Sequence, residues 1–463
     1  MLLFEGILTF FYEISKKLPL IKSPERQLSS KEKLQWVIIV LAIYYILFNT
    51  TAIGLKEHRG EQDFIQLITA SRQGSLLALG IGPIVIAGIV IQLFAGGGLL
   101  NLDFNDPSTR KKVAGATTTF AILIALFEAV IYTTNYANIG LFTVSVNNLT
   151  MLGVALQLAL GAIALIYLDQ IISKYGIGSG ISIFIAAGVS YGIISGFSFT
   201  LFSENGIINA VSQGGIEGLT NAFVMLLPFI STIIIFWLIV KGESAKIVLP
   251  LSIPGINRAL ELPFFFVSNL PVIFASALLV YIFLISNSLL STPIKNSYGW
   301  EHYLGGILYM ATPISAGANI PSYIAFLTQG KTPVYGLPEW LHAITYVISL
   351  CILSILFGKF WVEMNPQQNP ENIAKAIISA GIQIRGHRSD PRLITSRLNE
   401  YIWPLTITGS LAVALLAGFG DLLAVYGTGT GILLTVGILY KMANEVKETL
   451  DIHYPSISKI IFK

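Results

Sequence analysis

Few residues in this sequence could support catalysis or ion coupling, and only one carboxylate falls clearly inside an apolar run. This residue is Glu128, within Ala125-Leu126-Phe127-Glu128-Ala129. Ion-coupled carriers and proton pumps place several ionisable groups at mid-membrane depth. A single acid is a poor basis for a proton relay, so we expect Glu128 to be neutral or hydrogen-bonded to a neighbouring helix.

Motifs for hydrolysis or phosphate binding are also missing from the sequence. The five histidines are predicted in loops or at the ends of apolar runs, and no HExxH motif is present. The glycine clusters Gly176–Gly180 and Gly427–Gly431 lack the Lys-Ser/Thr ending of a phosphate-binding loop. Glycine at these places is expected to permit close helix packing instead. The sequence therefore argues against an intramembrane enzyme, and no cofactor or metal is expected.

The composition is that of a membrane protein. The chain has 463 residues, of which 54% are hydrophobic and 11% charged, and its mean hydropathy is +0.72. Soluble domains carry roughly 25% charged residues. A backbone in lipid must satisfy its polar groups internally, so the apolar runs predict an all-α polytopic bundle. The single cysteine, Cys351, excludes an intrachain disulfide.

Ten apolar runs are long enough to be membrane spans. They cover about residues 35–50, 75–95, 113–133, 149–168, 178–200, 219–240, 267–287, 337–358, 401–419 and 424–441. With the N-terminus inside, all but five of the 28 Lys and Arg residues lie on the cytoplasmic side; the five are Lys56, Arg59, Arg72, Lys295 and Lys331. The positive-inside rule therefore predicts that both termini are cytoplasmic.

The stretch from Asp63 to Phe94 reads as a broken membrane helix. A short amphipathic run leads through Gly80-Ile81-Gly82-Pro83 into an apolar helix. Non-helical backbone at bilayer depth persists only where protein or a water-filled cavity satisfies it. The break therefore predicts an internal pore or cavity.

Composition alone would favour a ten-span secondary transporter with inverted repeats, which remains an alternative. The lack of ionisable groups at mid-span counts against it. Two long basic loops, at about 241–262 and 359–400, are either topology signals or binding surfaces. Within the second, Arg385-Gly386-His387-Arg388 would suit contacts to phosphate backbones.

Several motifs together carry a family resemblance over essentially the whole chain. They are Ile68-Thr69-Ala70-Ser71-Arg72, Leu79-Gly80-Ile81-Gly82-Pro83-Ile84-Val85, Gln92-Leu93, Ile166-Tyr167-Leu168-Asp169, Ser173-Lys174-Tyr175-Gly176-Ile177-Gly178-Ser179-Gly180-Ile181, Val267-Ser268-Asn269-Leu270-Pro271-Val272-Ile273, Arg385-Gly386-His387-Arg388 and Gly429-Thr430-Gly431-Ile432-Leu433-Leu434-Thr435. In order and spacing the chain resembles the SecY family, the channel subunits of the Sec translocon, in the archaeal form close to Sec61 alpha.

The resemblance implies ten transmembrane helices in two pseudo-symmetric halves of five around a central pore. The N-terminal half would cover 34–200, with a plug half-helix at about 62–71, and the C-terminal half 201–445. A cytoplasmic amphipathic segment, 1–33, would precede them, and a cytoplasmic tail, 446–463, would follow.

The resemblance also assigns candidate site residues. The pore ring would consist of Ile81, Val85, Ile181, Ile185, Ile273 and Leu434, and the plug would include Phe64, Ile65, Leu67, Ile68, Thr69, Ala70 and Ser71. The lateral gate, between spans two and seven, would include Gln92, Glu128, Asn269 and Tyr281, and docking on a ribosome or motor would use Arg258, Arg385 and Arg388. Independently, the pairs 81/85 and 181/185 have i,i+4 spacing, which places each pair on one helix face.

The gate departs from the family pattern. Related archaeal chains carry polar side chains at the positions that align with Ile86 and Tyr281, whereas here only Glu128 and a tyrosine hydroxyl remain. We therefore predict that Tyr281 pairs with Glu128.

The resemblance implies a passive protein-conducting channel in the cell membrane. Its partners would be SecE (Sec61 gamma), SecG or Sec61 beta, the ribosome with its RNA, signal sequences and nascent polypeptides, and the lipid bilayer.

Overall fold

The computed structural model describes most of the chain. The described residues are 2–19, 21–26, 28–56, 70–96, 106–138, 140–202, 206–213, 215–249, 260–267, 270–291, 300–314, 320–365, 368–379 and 391–453. Within these ranges there are sixteen helices and two short strands.

The elements follow the chain in this order. The helices are α1 (Leu2–Ser15), α2 (Ser30–Asn49), α3 (Gly82–Gly96), α4 (Pro107–Asn138), α5 (Asn148–Tyr175), α6 (Gly180–Phe202), α7 (Ile207–Gln213), α8 (Gly215–Met225), α9 (Leu227–Ser244), α10 (Leu270–Ser291), α11 (Trp300–Tyr309), α12 (Ile320–Gln329), α13 (Glu339–Met364), α14 (Pro370–Ser379), α15 (Pro391–Leu422) and α16 (Gly429–His453). Strands β1 (Lys246–Leu249) and β2 (Leu260–Pro263) form an antiparallel pair after α9.

Each of the ten predicted spans overlaps described helical residues, with the span at 219–240 falling across the two helices α8 and α9. Seven helical stretches of the described chain are long and apolar enough to cross a membrane, and the cores of α3 and α10 are shorter apolar helices. Helix α16 begins apolar and becomes charged only from Lys441 onward. The helical class predicted from the sequence is therefore confirmed.

A local sequence signal explains where helix α2 begins. Helix α2 starts with a capping box, because Glu32 N donates to Ser29 Oγ and Ser29 N donates to Glu32 Oε2 at 2.9 Å. Helix α1 forms within the segment predicted to be amphipathic, and it packs against α4 through Phe11 and Phe120, whose ring centroids are 5.4 Å apart.

The second span begins later than predicted. The apolar pattern placed its start near residue 75, but α3 starts only at Gly82. Residues before it form successive turns, in which Ala78 N bonds Ser75 O at 3.1 Å and Gly80 N bonds Leu77 O at 3.0 Å. Gly80 has φ +55°, a conformation that interrupts a right-handed helix. The predicted break is therefore real, and hydrophobicity alone could not locate its end.

The largest buried cluster of the described residues lies at the centre of the bundle. Its members come from α2, α3, α5, α6, α9, α10, α13, α15 and α16, and include Tyr44, Phe184, Val272 and Leu433 at 0% exposure or nearly so. The predicted pore residues belong to this cluster or pack against it. Large aliphatic side chains from many helices thus meet where a pore would run.

A second cluster joins α4 and α5 through small residues, including Ala125, Ala129 and Ala159. Small side chains let helix backbones approach closely within a membrane, where lipid offers no hydrophobic drive for association. Gly161 on α5 makes a particularly close backbone contact, because a β-carbon added there would overlap the carbonyl group of Leu76.

We predict that Gly161→Ala lowers the melting temperature of the purified protein in detergent. The added methyl must displace the Leu76 backbone, and overpacking of this kind destabilises by about 1–3 kcal/mol. Gly153→Ala on the same helix is the matched control, because open space surrounds that position. Alanine is the better helix former, so the control should be neutral or slightly stabilising. Equal melting temperatures for the two variants would contradict the packing argument.

Candidate functional site

The six predicted ring residues come together in the structure. Ile81 directly precedes α3, Val85 lies on α3, Ile181 and Ile185 on α6, Ile273 on α10 and Leu434 on α16. Five of them are at most 5% exposed, and Ile181 packs against the same cluster. We call these six residues the aliphatic ring. Four separate elements supply it, and these elements are far apart in the sequence.

A cavity of about 420 Å³ lies against the aliphatic ring. Val85, Ile181, Ile273 and Leu434 line it, together with Ile84, Gly88, Thr117, Ser179, Ser182, Leu270, Phe274, Trp361, Gly437 and Ile438. Thr117 Oγ1 donates to its own helix at Val113 O, at 2.8 Å, so this hydroxyl is already satisfied. The residues that line the cavity are mainly apolar, so few polar side chains are available to bind a molecule inside it.

The predicted pair at the gate is present. Tyr281 Oη, on α10, donates to Glu128 Oε1, on α4, at 2.8 Å. Glu128 is only 6% exposed although its neighbour Phe127 is 69% exposed. Both polar atoms also lie near the start of α3, since a β-carbon added at Gly82 would be 3.1 Å from Tyr281 Oη. The hydrogen bond therefore holds α10 and α4 together beside α3.

The helices around this hydrogen bond include the two spans between which the family resemblance places a gate. Helix α3, the second span, packs against α10, the seventh, and also against α4 and α13, the third and eighth. A small space lined by Ile81, Val85 and Ile273 extends to Tyr281, so the aliphatic ring and the α3–α10 contact adjoin each other.

The end of the predicted plug is described, and it corrects one boundary. The sequence extended the half-helix to Ser71, but Ala70 has φ +51°, which no right-handed helix can contain. Ala70 is fully buried, and its carbonyl oxygen accepts a hydrogen bond of 3.0 Å from Tyr44 Oη on α2. This terminus is thus anchored to the core. Plug residues Phe64, Ile65, Leu67, Ile68 and Thr69 lie outside the described residues.

Other predicted site residues also lie outside the described part. These are Asn269 at the gate and Arg258, Arg385 and Arg388 in the basic loops; Gln92 is placed on α3 without a described side chain.

Sequence reasoning missed several buried polar groups at helix ends. His342 lies in the first turn of α13 at 2% exposure, with its Nδ1 2.9 Å from Glu339 Oε2 and its Nε2 3.0 Å from Thr312 O. The i,i+3 spacing of Glu339 and His342 was the available signal. Asp169 and Asp421, at the ends of α5 and α15, accept backbone hydrogen bonds from the following helices. Only the tertiary fold reveals those partners.

Comparisons with known proteins agree over nearly the whole chain. A family model described as SecY matches residues 75–443. The chain is 37% identical over 457 residues to the protein translocase subunit SecY of Methanococcus vannielii, an alignment that covers 97% of this chain and 99% of that relative.

Solved structures agree with the sequence relatives. A protein-conducting channel matches with a TM-score of 0.75 at 35% identity, covering 96% of this chain and 99% of that chain. Sec61 in the canine ribosome–channel complex from the endoplasmic reticulum matches with a TM-score of 0.71 at 34% identity and the same coverage. Because the family model covers most of the sequence and the relatives align nearly end to end, the chain belongs to the SecY family of protein translocase subunits.

Proposed function

We propose that this chain is the central subunit of a Sec translocation channel and acts as a passive, protein-conducting pore. The observation that carries the proposal is the aliphatic ring, in which four separate elements bring six apolar side chains into one buried cluster. In this view the chain needs no cofactor and performs no chemistry of its own. A translating ribosome or another motor supplies the driving force.

The physical properties of the aliphatic ring suit this function. Aliphatic side chains offer no ligands to an ion, and a narrow apolar constriction tends to lose its water, which resists ion leakage. Flexible side chains can also surround a moving polypeptide without selecting its sequence. A site with fixed polar partners would hold some sequences more tightly than others.

Selectivity for hydrophobic segments would lie at the lateral gate, between α3 and α10. A central Leu or Ile contributes roughly −0.3 to −0.6 kcal/mol on insertion scales, so a segment of about ten such residues supplies a few kcal/mol. A hydrogen bond within a protein contributes about 0.5–1.5 kcal/mol net. The Tyr281–Glu128 bond is therefore strong enough to oppose opening, yet weak enough for a signal sequence to overcome.

The segment 62–71 would close the pore as a plug from the outer side. Its described end supports a fixed attachment, because Ala70 is held by Tyr44 and lies against α6, where a β-carbon at Gly188 would be 3.1 Å from Ala70 Cα.

Partners and location follow from the family. We propose SecE (Sec61 gamma) and SecG or Sec61 beta as accessory subunits, within the cell membrane and with both termini of this chain cytoplasmic. The ribosome-bound Sec61 relative supports ribosome docking, through Arg385 and Arg388 after the eighth span and Arg258 after the sixth. Docking would include contacts with ribosomal RNA.

A ten-span secondary transporter is not favoured. Its relatives would not be named translocase subunits, and the residues around the cavity include few groups that could bind a solute or a coupling ion. The two halves, 34–200 and 201–445, are instead proposed to open around the aliphatic ring.

A photo-crosslinking amino acid at Ile185 should attach to a secretory chain that is stalled on the ribosome. Ile185 is fully buried in the aliphatic ring, so only a polypeptide inside the pore can reach it. The control position is Leu160 on α5, which is 63% exposed on the outside of the chain. Adducts at Leu160 without any at Ile185 would remove the channel assignment. The measurement is the fraction of stalled chains attached at each position.

Tyr281→Phe should let weaker signal sequences open the gate, because it removes the hydrogen bond that joins α10 to α4. We expect about a fivefold to tenfold gain in export of a reporter with a shortened apolar core, corresponding to a hydrogen bond of about 1 kcal/mol.

Glu128→Gln in the Tyr281→Phe background should add little, since the partners act as one unit. Tyr132→Phe, one helical turn from Glu128, leaves the Tyr281 bond in place and serves as the control. Unchanged signal-sequence selectivity and unchanged stability in the double variant would argue against the pair.

Arg388→Glu should weaken ribosome binding and reduce its salt dependence, because a cation that contacts phosphate contributes to the salt slope. The measurement is cosedimentation of ribosomes with the reconstituted channel across a salt series. Arg397→Glu is the matched control, since Arg397 already pairs with Glu400 at 2.9 Å on the same cytoplasmic side of the proposed topology. Normal ribosome affinity for Arg388→Glu would exclude the assignment.

A further inference from the structure

Both glycine clusters of the sequence lie at the start of a helix that carries ring residues. Helix α6, with Ile181 and Ile185, begins at Gly180, and helix α16, with Leu434, begins at Gly429. The aliphatic ring does not explain why glycine occurs at these helix starts. The neighbouring residues explain it, because each cluster lies against an aspartate near the end of the preceding helix.

Asp421, in the last turn of α15, is 3% exposed and holds the start of α16. Its Oδ1 accepts a hydrogen bond of 2.7 Å from Gly429 N, the first amide of α16. Its Oδ2 accepts a second hydrogen bond of 2.7 Å from Tyr346 Oη on α13. The carboxylate thus joins three helices.

Asp169, near the end of α5, holds the start of α6 in the same way. Its Oδ1 accepts a hydrogen bond of 2.8 Å from Ile181 N, the second amide of α6. In both helices, then, one of the first two amides donates to an aspartate of the preceding helix.

The glycines make these contacts possible. A β-carbon added at Gly180 would lie 2.6 Å from Asp169 Cα, and one added at Gly429 would overlap the carbonyl oxygen of Ala417. Any larger residue would push the helix start away from its aspartate. The glycine clusters therefore serve the close approach of each helix to the one before it.

The ring residues occupy equivalent positions relative to these contacts. Ile185 follows Gly180 by five residues, and Leu434 follows Gly429 by five residues. At 1.5 Å per residue, each ring side chain lies about 7.5 Å along its helix from the anchored end. The sequences of the two helices differ after the first glycine. What the helices share is the distance of the ring residue from the anchored helix start.

We infer that Asp169 and Asp421 are a matched pair of positioning residues. They fix the positions of α6 and α16 along their helix axes, and so keep the aliphatic ring closed. The first amides of a helix lack partners within the helix, and a carboxylate at this place satisfies them and interacts favourably with the helix dipole. Inside a membrane no water replaces a lost partner. Removal of either carboxylate would let the helix start shift, together with its ring residue. The inference rests on the proposed function of the ring as a seal.

The test is passive ion leakage through the purified, reconstituted channel complex without a substrate. Asp169→Ala and Asp421→Ala should each raise the leak about tenfold, as expected for loss of a capping interaction. Asp169→Asn and Asp421→Asn keep an oxygen that accepts the amide hydrogen bonds, so their leak should remain close to that of the original protein. Leak in both asparagine variants equal to that in the alanine variants would overturn the inference.

Two controls separate this inference from other causes. Gly218→Ala destabilises the fold away from the ring, because a β-carbon added there would overlap the carbonyl oxygen of Ala210 on α7. It should therefore lower the melting temperature without raising the leak. Leu434→Gly opens the ring directly and tests the proposed seal. If Leu434→Gly leaks and neither alanine variant does, the positioning role is wrong; if Leu434→Gly does not leak, the seal itself is wrong. Should Asp421→Ala fail to accumulate in membranes, the less buried Asp169→Ala decides the outcome.

Discussion

The structure depends on one constraint, which is that every backbone polar group at membrane depth needs a partner within the protein. Helices meet this constraint along their lengths, so the difficult places are the helix starts and the non-helical segment before α3. That segment satisfies its backbone through consecutive turns and through bonds to the end of the first span, where Leu76 N donates to Thr50 O at 2.9 Å and Ala52 N donates to Gly74 O at 2.9 Å. An irregular segment can therefore stand at the centre of a membrane bundle.

The same constraint explains why the aliphatic ring is apolar while polar groups lie at the starts of helices that carry it. The ring consists of aliphatic side chains, whereas two of the helices that carry it, α6 and α16, donate a hydrogen bond from their first turn to a buried or partly buried aspartate. Asp421 and Tyr346 illustrate this arrangement, because both are buried and each satisfies the other. Polar contacts define where the helices stand, and apolar side chains define what passes between them.

The contact between α3 and α10, where we propose the gate, combines both kinds of interaction. Apolar side chains of α3 and α10 adjoin the ring, while a single hydrogen bond between Tyr281 and Glu128 crosses beside them. Apolar contacts between helices in lipid are easily exchanged for contacts with another apolar segment. A buried hydrogen bond is more specific, so in the proposed gate it would set the threshold for that exchange.

The sequence by itself determined the helical class, the approximate positions of the spans and the break near Gly80, and it predicted the Tyr281–Glu128 hydrogen bond that the structure contains. The family motifs also nominated six residues that the structure brings into or against one buried cluster. Hydropathy and local propensity act over neighbouring residues, so they are sufficient for such features. They could not place the start of α3 at Gly82, the left-handed Ala70, or the partners of Asp169 and Asp421. Those features depend on contacts between residues far apart in the chain, such as Tyr44 with Ala70 and Tyr346 with Asp421, and only the tertiary structure decided them.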